Sequence, residues 1–245
     1  MKKLIAAAGL LIMTLSVFSQ TPDQPEKKKK DWSKVSLMNR PNDHFMFQLG
    51  YEGWAQKPDS ANTKGIPRTL AIYFMFDMPF KTDPRFSIGI GVGVSGSNVY
   101  FDKTEVAINS TGSTLEFNNV SNTNHFKKFK LSYNYLEVPL ELRFSSNPEN
   151  DGKSLKFALG GKVGTLINVH TKGKNLLDAS DRLVNAYTEK ISSKRYFESL
   201  RLAGTARVAL GHIGLFGSYQ INDFVKSGSG PNIRPFTIGL TLSGL

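Results

Sequence analysis

From Asp43 onward the chain alternates apolar and polar residues with a period of two, the pattern of β-strands with one greasy face. The clearest segment sets Phe86, Ile88, Ile90, Val92 and Val94 against Ser87, Gly89, Gly91, Gly93 and Ser95. Before it, Phe45, Phe47, Leu49 and Tyr51 alternate with Met46, Gln48, Gly50 and Glu52. Leu70, Ile72, Phe74, Phe76, Met78 and Phe80 then alternate with Thr69, Ala71, Tyr73, Met75 and Asp77. After it, Leu136, Val138, Leu140, Leu142 and Phe144 oppose Glu137, Pro139, Glu141 and Arg143. Leu155, Phe157, Leu159, Val163 and Ile167 oppose Lys156, Ala158, Gly160 and Lys162. Leu200, Leu202, Ala206, Val208 and Leu210 oppose Arg201, Thr205 and Arg207. Ile213, Leu215, Tyr219 and Ile221 oppose Gly214, Ser218 and Gln220, with Phe216 breaking the polarity. The last segment sets Phe236, Ile238, Leu240 and Leu242 against Thr237, Gly239, Thr241 and Ser243. These segments predict eight strands. Leu131, Tyr133 and Tyr135 fall out of phase with the fourth, which predicts a bulge near Tyr135.

The connections support a single closed up-and-down barrel. Those near residues 81–84, 146–152 and 210–212 are short, and those near 55–67, 102–128, 171–195 and 225–232 are longer. Membrane barrels have this asymmetry, with short turns on one side and long loops on the other. Aromatic residues gather at both sets of strand ends: Phe45, Phe80, Phe86, Phe144 and Phe157 at one, Trp54, Tyr100, Tyr196, Phe224 and Phe236 at the other. Two such belts are what membrane interfaces select. The expected fold is therefore all-β, an eight-stranded antiparallel transmembrane barrel with its apolar face toward lipid.

The polar face decides between lipid and a protein core as the partner of the apolar one. It mixes small residues with Glu52, Glu137, Glu141, Arg143, Lys156, Lys162, Arg201 and Arg207. An eight-stranded barrel has an interior just wide enough for side chains, so these charges are expected to pair inside it. A turn around residues 149–150 would set Glu137 opposite Lys162. Glycines at 89, 91 and 93 suit a crowded inner wall better than a solvent face.

Composition adds the compartment. Lys2 and Lys3, an apolar run from Leu4 to Phe18 and small Ser19 make residues 1–19 an expected signal peptide. Residues 20–42, with prolines and the run Lys27 to Lys30, are expected to be a disordered basic periplasmic segment before a barrel over 43–245. An even strand count then puts both termini in the periplasm. No later stretch approaches 18 unbroken apolar residues, which rules out a helical membrane protein. Cysteine is absent, so disulfides, thiolate metal sites and cysteine nucleophiles are excluded. The net charge of +11 would suit nucleic acid, but export leaves lipid phosphates as the available anions.

Chemistry-bearing motifs are few. Gly91-Val92-Gly93-Val94-Ser95-Gly96 satisfies a dinucleotide fingerprint in letters, but it lies mid-strand with no helix after it. Four histidines form no cluster with serine or carboxylate; His125 and His170 end adjacent strands and are the one pair whose approach would offer a metal site. No catalytic residue, cofactor site or metal site is expected. Lys127, Lys128, Lys172, Lys174, Lys194 and Arg195 lie at the long-loop end, either as solvated loop bases, the more common case, or as cations that bridge the phosphates of lipopolysaccharide.

The stretch Leu131-Ser132-Tyr133-Asn134-Tyr135-Leu136-Glu137-Val138-Pro139-Leu140 resembles a segment of the PorT-like outer membrane β-barrel family of Bacteroidota. There a tyrosine-rich approach precedes Leu-Glu-(Ile/Val)-Pro-Leu in a central strand. The resemblance implies an outer-membrane location and, for one member, a link to protein secretion. The reading that follows is a non-catalytic barrel acting as scaffold or accessory subunit of an envelope assembly. A narrow diffusion channel is the alternative, and a lipid-modifying enzyme a third.

Overall fold

Once one face is greasy and the other polar, a strand must bury its backbone groups sideways, against other strands. The structure, a computed structural model, describes Asp31 and residues 43–244. The expected signal peptide and the lysine run at 27–30 lie outside the described residues. In chain order the strands are β1 (Asp43–Ala55), β2 (Arg68–Pro79), β3 (Phe86–Phe101), β4 (Thr104–Val106), β5 (Phe117–Asn119), β6 (His125–Ser145), β7 (Leu155–Leu177), β8 (Leu183–Ser192), β9 (Leu200–Leu210), β10 (Ile213–Gln220) and β11 (Arg234–Ser243).

Eight of these close on themselves: β1, β2, β3, β6, β7, β9, β10 and β11 pair in that cyclic order, every neighbour antiparallel. Closure removes every edge within the barrel wall, as a span through hydrocarbon requires. These are the eight expected strands. The residues expected on the apolar face point out and stay bare, including Leu49, Ile90, Leu140, Leu159, Leu215 and Leu240. From Phe157 to Ile167 the outward belt runs about 33 Å along β7, hence about 25 Å of height at a tilt of roughly 40°.

Short connections join β2 to β3, β6 to β7 and β9 to β10, and the chain enters and leaves the barrel at that same end. Gly211 turns β9 into β10 with a φ of 60°, and a side chain there would meet the Gly152 carbonyl oxygen at 2.3 Å. Glycine alone satisfies both demands. In the β6–β7 turn the buried Ser154 hydroxyl sits 2.7 Å from the Ser145 hydroxyl and accepts the Asn147 N–H at 3.0 Å.

Several expectations change in detail. The loop expected at 171–195 is mostly strand: β7 continues to Leu177 and returns as β8, which pairs only with β7. The loop expected at 102–128 holds the β4–β5 hairpin and the start of β6. The irregularity near Tyr135 is present, but the extra residue is on the partner. Tyr135 pairs with Leu166 and Asn134 with Asn168, so Ile167 is the bulged residue of β7. β6 keeps its phase, and Leu131, Tyr133 and Tyr135 point inward and are buried. Their apolarity marks an apolar tier of the interior, not a change of face. Phe216 also points inward, toward the space that Gly50 leaves on β1. Pro139 sits where the β3–β6 ladder lapses, opposite Gly91 and Val92, so its missing N–H costs no hydrogen bond there.

The inward glycines of β3 make room for large neighbours. A Cβ at Gly93 would lie 2.2 Å from the Ile72 carbonyl oxygen and 2.5 Å from the Tyr73 ring. We expect Gly93→Ala to lower the urea midpoint of the folded barrel in detergent by the equivalent of about 1–3 kcal/mol, the usual range for overpacking. A midpoint unchanged from wild type would show that the β2 backbone at Ile72 and Tyr73 gives way without cost.

Candidate functional site

The barrel interior is stacked in three tiers, each built by inward residues of several strands. At the short-turn end, Glu141 of β6 accepts from Arg143 Nε at 2.9 Å and from Arg207 Nη2 at 2.7 Å. Arg143 also reaches Asp77 at 3.4 Å, and Asp77 accepts the Ser87 hydroxyl at 2.7 Å. His44 lies 3.4 Å from Arg143, and Lys156 pairs with Asp151 at 2.6 Å on the rim. A cavity of about 50 Å³ opens among these groups, room for a few waters.

In the middle tier Glu137 is fully buried. Its two oxygens take Arg201 at 3.0 Å and Lys162 at 3.1 Å, and Tyr73 donates its hydroxyl to the second oxygen. Glu52 beside it accepts hydroxyl protons from Tyr133 at 2.6 Å, Thr237 at 2.8 Å and Thr69. The Arg201 guanidinium also lies 4.9 Å from the centre of the Tyr135 ring. Four carboxylates (Glu52, Asp77, Glu137, Glu141) thus share the inner wall with four cations (Arg143, Lys162, Arg201, Arg207), so the wall is close to neutral.

The third tier, toward the long loops, is an apolar plug. Inward strand residues Val99, Phe101, Phe129, Leu131, Tyr133 and Val169 meet loop residues Ile108, Leu115, Tyr196, Phe197, Phe224 and Ile233. Trp54 packs onto Phe101, Phe117 and Phe224 and donates its indole N–H to Tyr133 at 3.2 Å. Trp54, Tyr196 and Phe224 were expected in an outer aromatic belt; they lie in or against this plug instead. The belt at that end consists of Tyr51, Tyr219 and Phe236 with Tyr100. At the other end Phe45, Phe80, Phe86 and Phe157 are exposed on the outside, with Phe144 between Phe86 and Phe157.

All eight charged residues chosen for the interior face it. Six are buried, while Lys156 and Arg207 are partly exposed. Glu137 and Lys162 meet, but diagonally: the residue directly opposite Glu137 is Gly164, two positions along from the expected register. The wide turn at 146–154 accounts for the shift. The hydroxyl partners Tyr73, Thr69, Tyr133 and Thr237 were not singled out in the sequence, although the same period-two count places each on the inner face. His125 and His170 do not meet. They sit seven ladder positions apart, about 23 Å, and His125 faces Asp181 at 2.9 Å and the Thr123 carbonyl at 3.0 Å. Lys103, then His125, holds the Asp181 carboxyl below its ordinary range in the β7–β8 turn. The described residues hold no group of three or more candidate metal ligands.

The cations at the long-loop end are exposed as expected: Lys127, Lys128, Lys172, Lys174, Lys194 and Arg195. Two of them serve the fold as well. Arg195 donates to the carbonyls of Ser110 and Thr111, each at 3.2 Å, and Lys194 reaches the Leu166 carbonyl at 3.5 Å.

A closed eight-stranded wall, greasy outside and ion-paired inside, defines a β-barrel of the membrane-spanning class. The chain belongs to the outer membrane protein beta-barrel domain family, whose model matches residues 42–232. No curated protein matches the sequence. Among solved structures, two of Ail, the attachment invasion locus protein of Yersinia pestis, are similar, one of them in complex with the heparin analogue sucrose octasulfate. Each is 14% identical and covers 83% of this chain and 100% of its own, with TM-scores of 0.35 and 0.33.

Proposed function

We propose that this outer membrane barrel is a non-catalytic scaffold or accessory subunit of an envelope assembly, of the PorT-like kind found in Bacteroidota, with protein secretion as the process. Both barrel ends of the chain face the periplasm, and the long-loop end faces outward, in contact with lipopolysaccharide and a protein partner. The observation that carries the reading is the filled interior. Buried ion pairs occupy its middle and an apolar plug its outer third. Such a lumen has no use as a solute path. The same packing holds the outer loops in one shape, and β8 stands above the wall with one edge paired and its residues exposed. A fixed, raised surface of that kind suits docking better than transport.

Single-channel recording tests it. Purified protein in a planar bilayer is expected to leave the baseline current unchanged. Reproducible stepwise openings whose size follows the salt concentration would reverse the reading in favour of a diffusion channel.

A further inference from the structure

Above the apolar belt the outward face over β6, β7 and β8 becomes polar and then basic. Over β6 and β7 the last greasy positions are Leu136 and Ile167, and the next outward row is Asn134 opposite Asn168. One row higher, Asn98, Ser132, His170 and Ser192 stand side by side across four strands, with Arg68 next to Asn98 on β2. The row above that is Tyr100, Lys130, Lys172 and Lys190 in direct register. Lys128 and Lys174 face each other in the row beyond.

Side chains directly opposite in an antiparallel pair have Cβ atoms about 5 Å apart, and like charges so placed repel. Three adjacent lysines in one row therefore work against the fold unless an anion sits on them. Lys130 is tied to the Asn98 side chain at 2.6 Å, which fixes its amine without neutralising it. Asp102 above Tyr100 is already paired with Lys64 at 2.9 Å, and Glu189 of β8 points to the other face, with His125 and Lys103. Among the described residues no carboxylate lies within pairing distance of Lys128, Lys172, Lys174 or Lys190.

We propose that this wall, centred on Lys130, Lys172 and Lys190 with Arg68 below, binds the phosphate groups of an acylated, phosphorylated glycolipid of the outer leaflet. Position selects this ligand. The patch is continuous with a lipid-facing belt, so a molecule whose acyl chains lie along Val94, Leu136 and Ile167 carries its sugar phosphates up the same wall. Lys130 begins about 20 Å along β6 from Leu136, and lysine side chains reach back toward the membrane, which brackets the headgroup and inner sugars. Asn98, Asn134, Asn168 and Ser132 supply amide and hydroxyl groups at sugar height. The proposal deepens the reading above by placing its lipopolysaccharide contact on one wall, and it rests on that reading for the outward placement of the long-loop end.

The test uses the full barrel in micelles and three probes: a bisphosphorylated, acylated glucosamine disaccharide, the same lipid without phosphates, and phosphatidylglycerol. Affinity is read by native mass spectrometry for wild type, for Lys130→Gln/Lys172→Gln/Lys190→Gln, and for a control at the other mouth, Lys81→Gln/Lys153→Gln. The bisphosphorylated lipid is expected to bind wild type and control alike and the triple variant at least about tenfold more weakly. The triple variant is also expected to unfold at a higher temperature in lipid-free micelles, because the repulsion is gone. Equal binding by triple variant and wild type overturns the proposal, as does equal binding of the dephosphorylated lipid or of phosphatidylglycerol. Should the triple variant fail to fold, Lys172→Gln alone decides: an affinity equal to that of wild type overturns the site. Conductance enters none of these readouts, and a protease site placed in the β7–β8 turn and probed on intact cells reports the orientation separately.

Discussion

Glu137→Ala is expected to destabilise the barrel by about 3–5 kcal/mol, the cost of removing one partner from a buried ion pair and leaving the other charge alone. The case is stronger than for a simple pair, because Glu137 holds two cations. Lys162 and Arg201 are both buried, at 3.1 and 3.0 Å from its oxygens, and neither gains water when the carboxylate goes. Tyr73 loses its acceptor at the same time. Glu52 is the nearest remaining carboxylate, and its oxygens are already committed to Tyr133, Thr69 and Thr237. Glu137→Gln keeps the shape and one acceptor oxygen and is expected to cost less than alanine. Double substitution of Glu137 and Lys162 by neutral residues is expected to recover part of the loss, since Arg201 alone then lacks a partner. Urea titration of the folded barrel in vesicles, read by heat-modifiable gel mobility, measures all three. If Glu137→Ala shifted the midpoint no more than a lipid-facing Leu→Val change does, the middle tier would not be dry.

How far the sequence could be read depended on which surroundings act on a residue. Within the belt, lipid on one side and a narrow interior on the other impose strict alternation, and Phe86 to Ser95 or Phe236 to Ser243 can be assigned by eye. Beyond the belt the outer face of β7 meets water while its buried inner face carries Thr171 and Gly173, so Thr171, Lys172, Gly173 and Lys174 show no apolar alternation, and a strand passes for a loop. Apolarity is likewise ambiguous near the long loops. Tyr133 and Tyr135 are apolar because the interior itself becomes apolar there, and reading greasy as outward forced a false change of phase. Trp54 and Phe224 mislead for the same reason: an aromatic at a strand end fits a girdle or a plug equally well. The interior charges were legible individually, since no other surface of a small barrel accepts them at those positions. Their partners depended on register, and register depended on a nine-residue turn whose hydrogen bonds centre on Ser154.

Leu140→Arg is the substitution that asks what surrounds the barrel, and it is expected to cost about 2–4 kcal/mol. Leu140 lies in the middle of the outward row from Leu136 to Phe144, half exposed, with Ile90 and Gly161 as its ladder neighbours. Nothing in the protein touches its outer side, so packing inside the barrel is unaffected by the change. In hydrocarbon the guanidinium sits at the midplane, farthest from either headgroup layer, and must drag water or lipid phosphate toward it. The cost should fall with depth. Asn134→Arg, outward but above the belt, is expected to cost no more than about 1 kcal/mol, because an interface admits arginine nearly freely. A barrel in water would reverse this. There the exposed Leu140 gains nothing from staying apolar, and arginine would be neutral or would improve solubility. Folding titrations of both variants into lipid vesicles therefore separate the two solvents by the difference between positions rather than by one absolute value. Equal, small costs at 134 and 140 would mean that the outer face of the strands is not held in lipid.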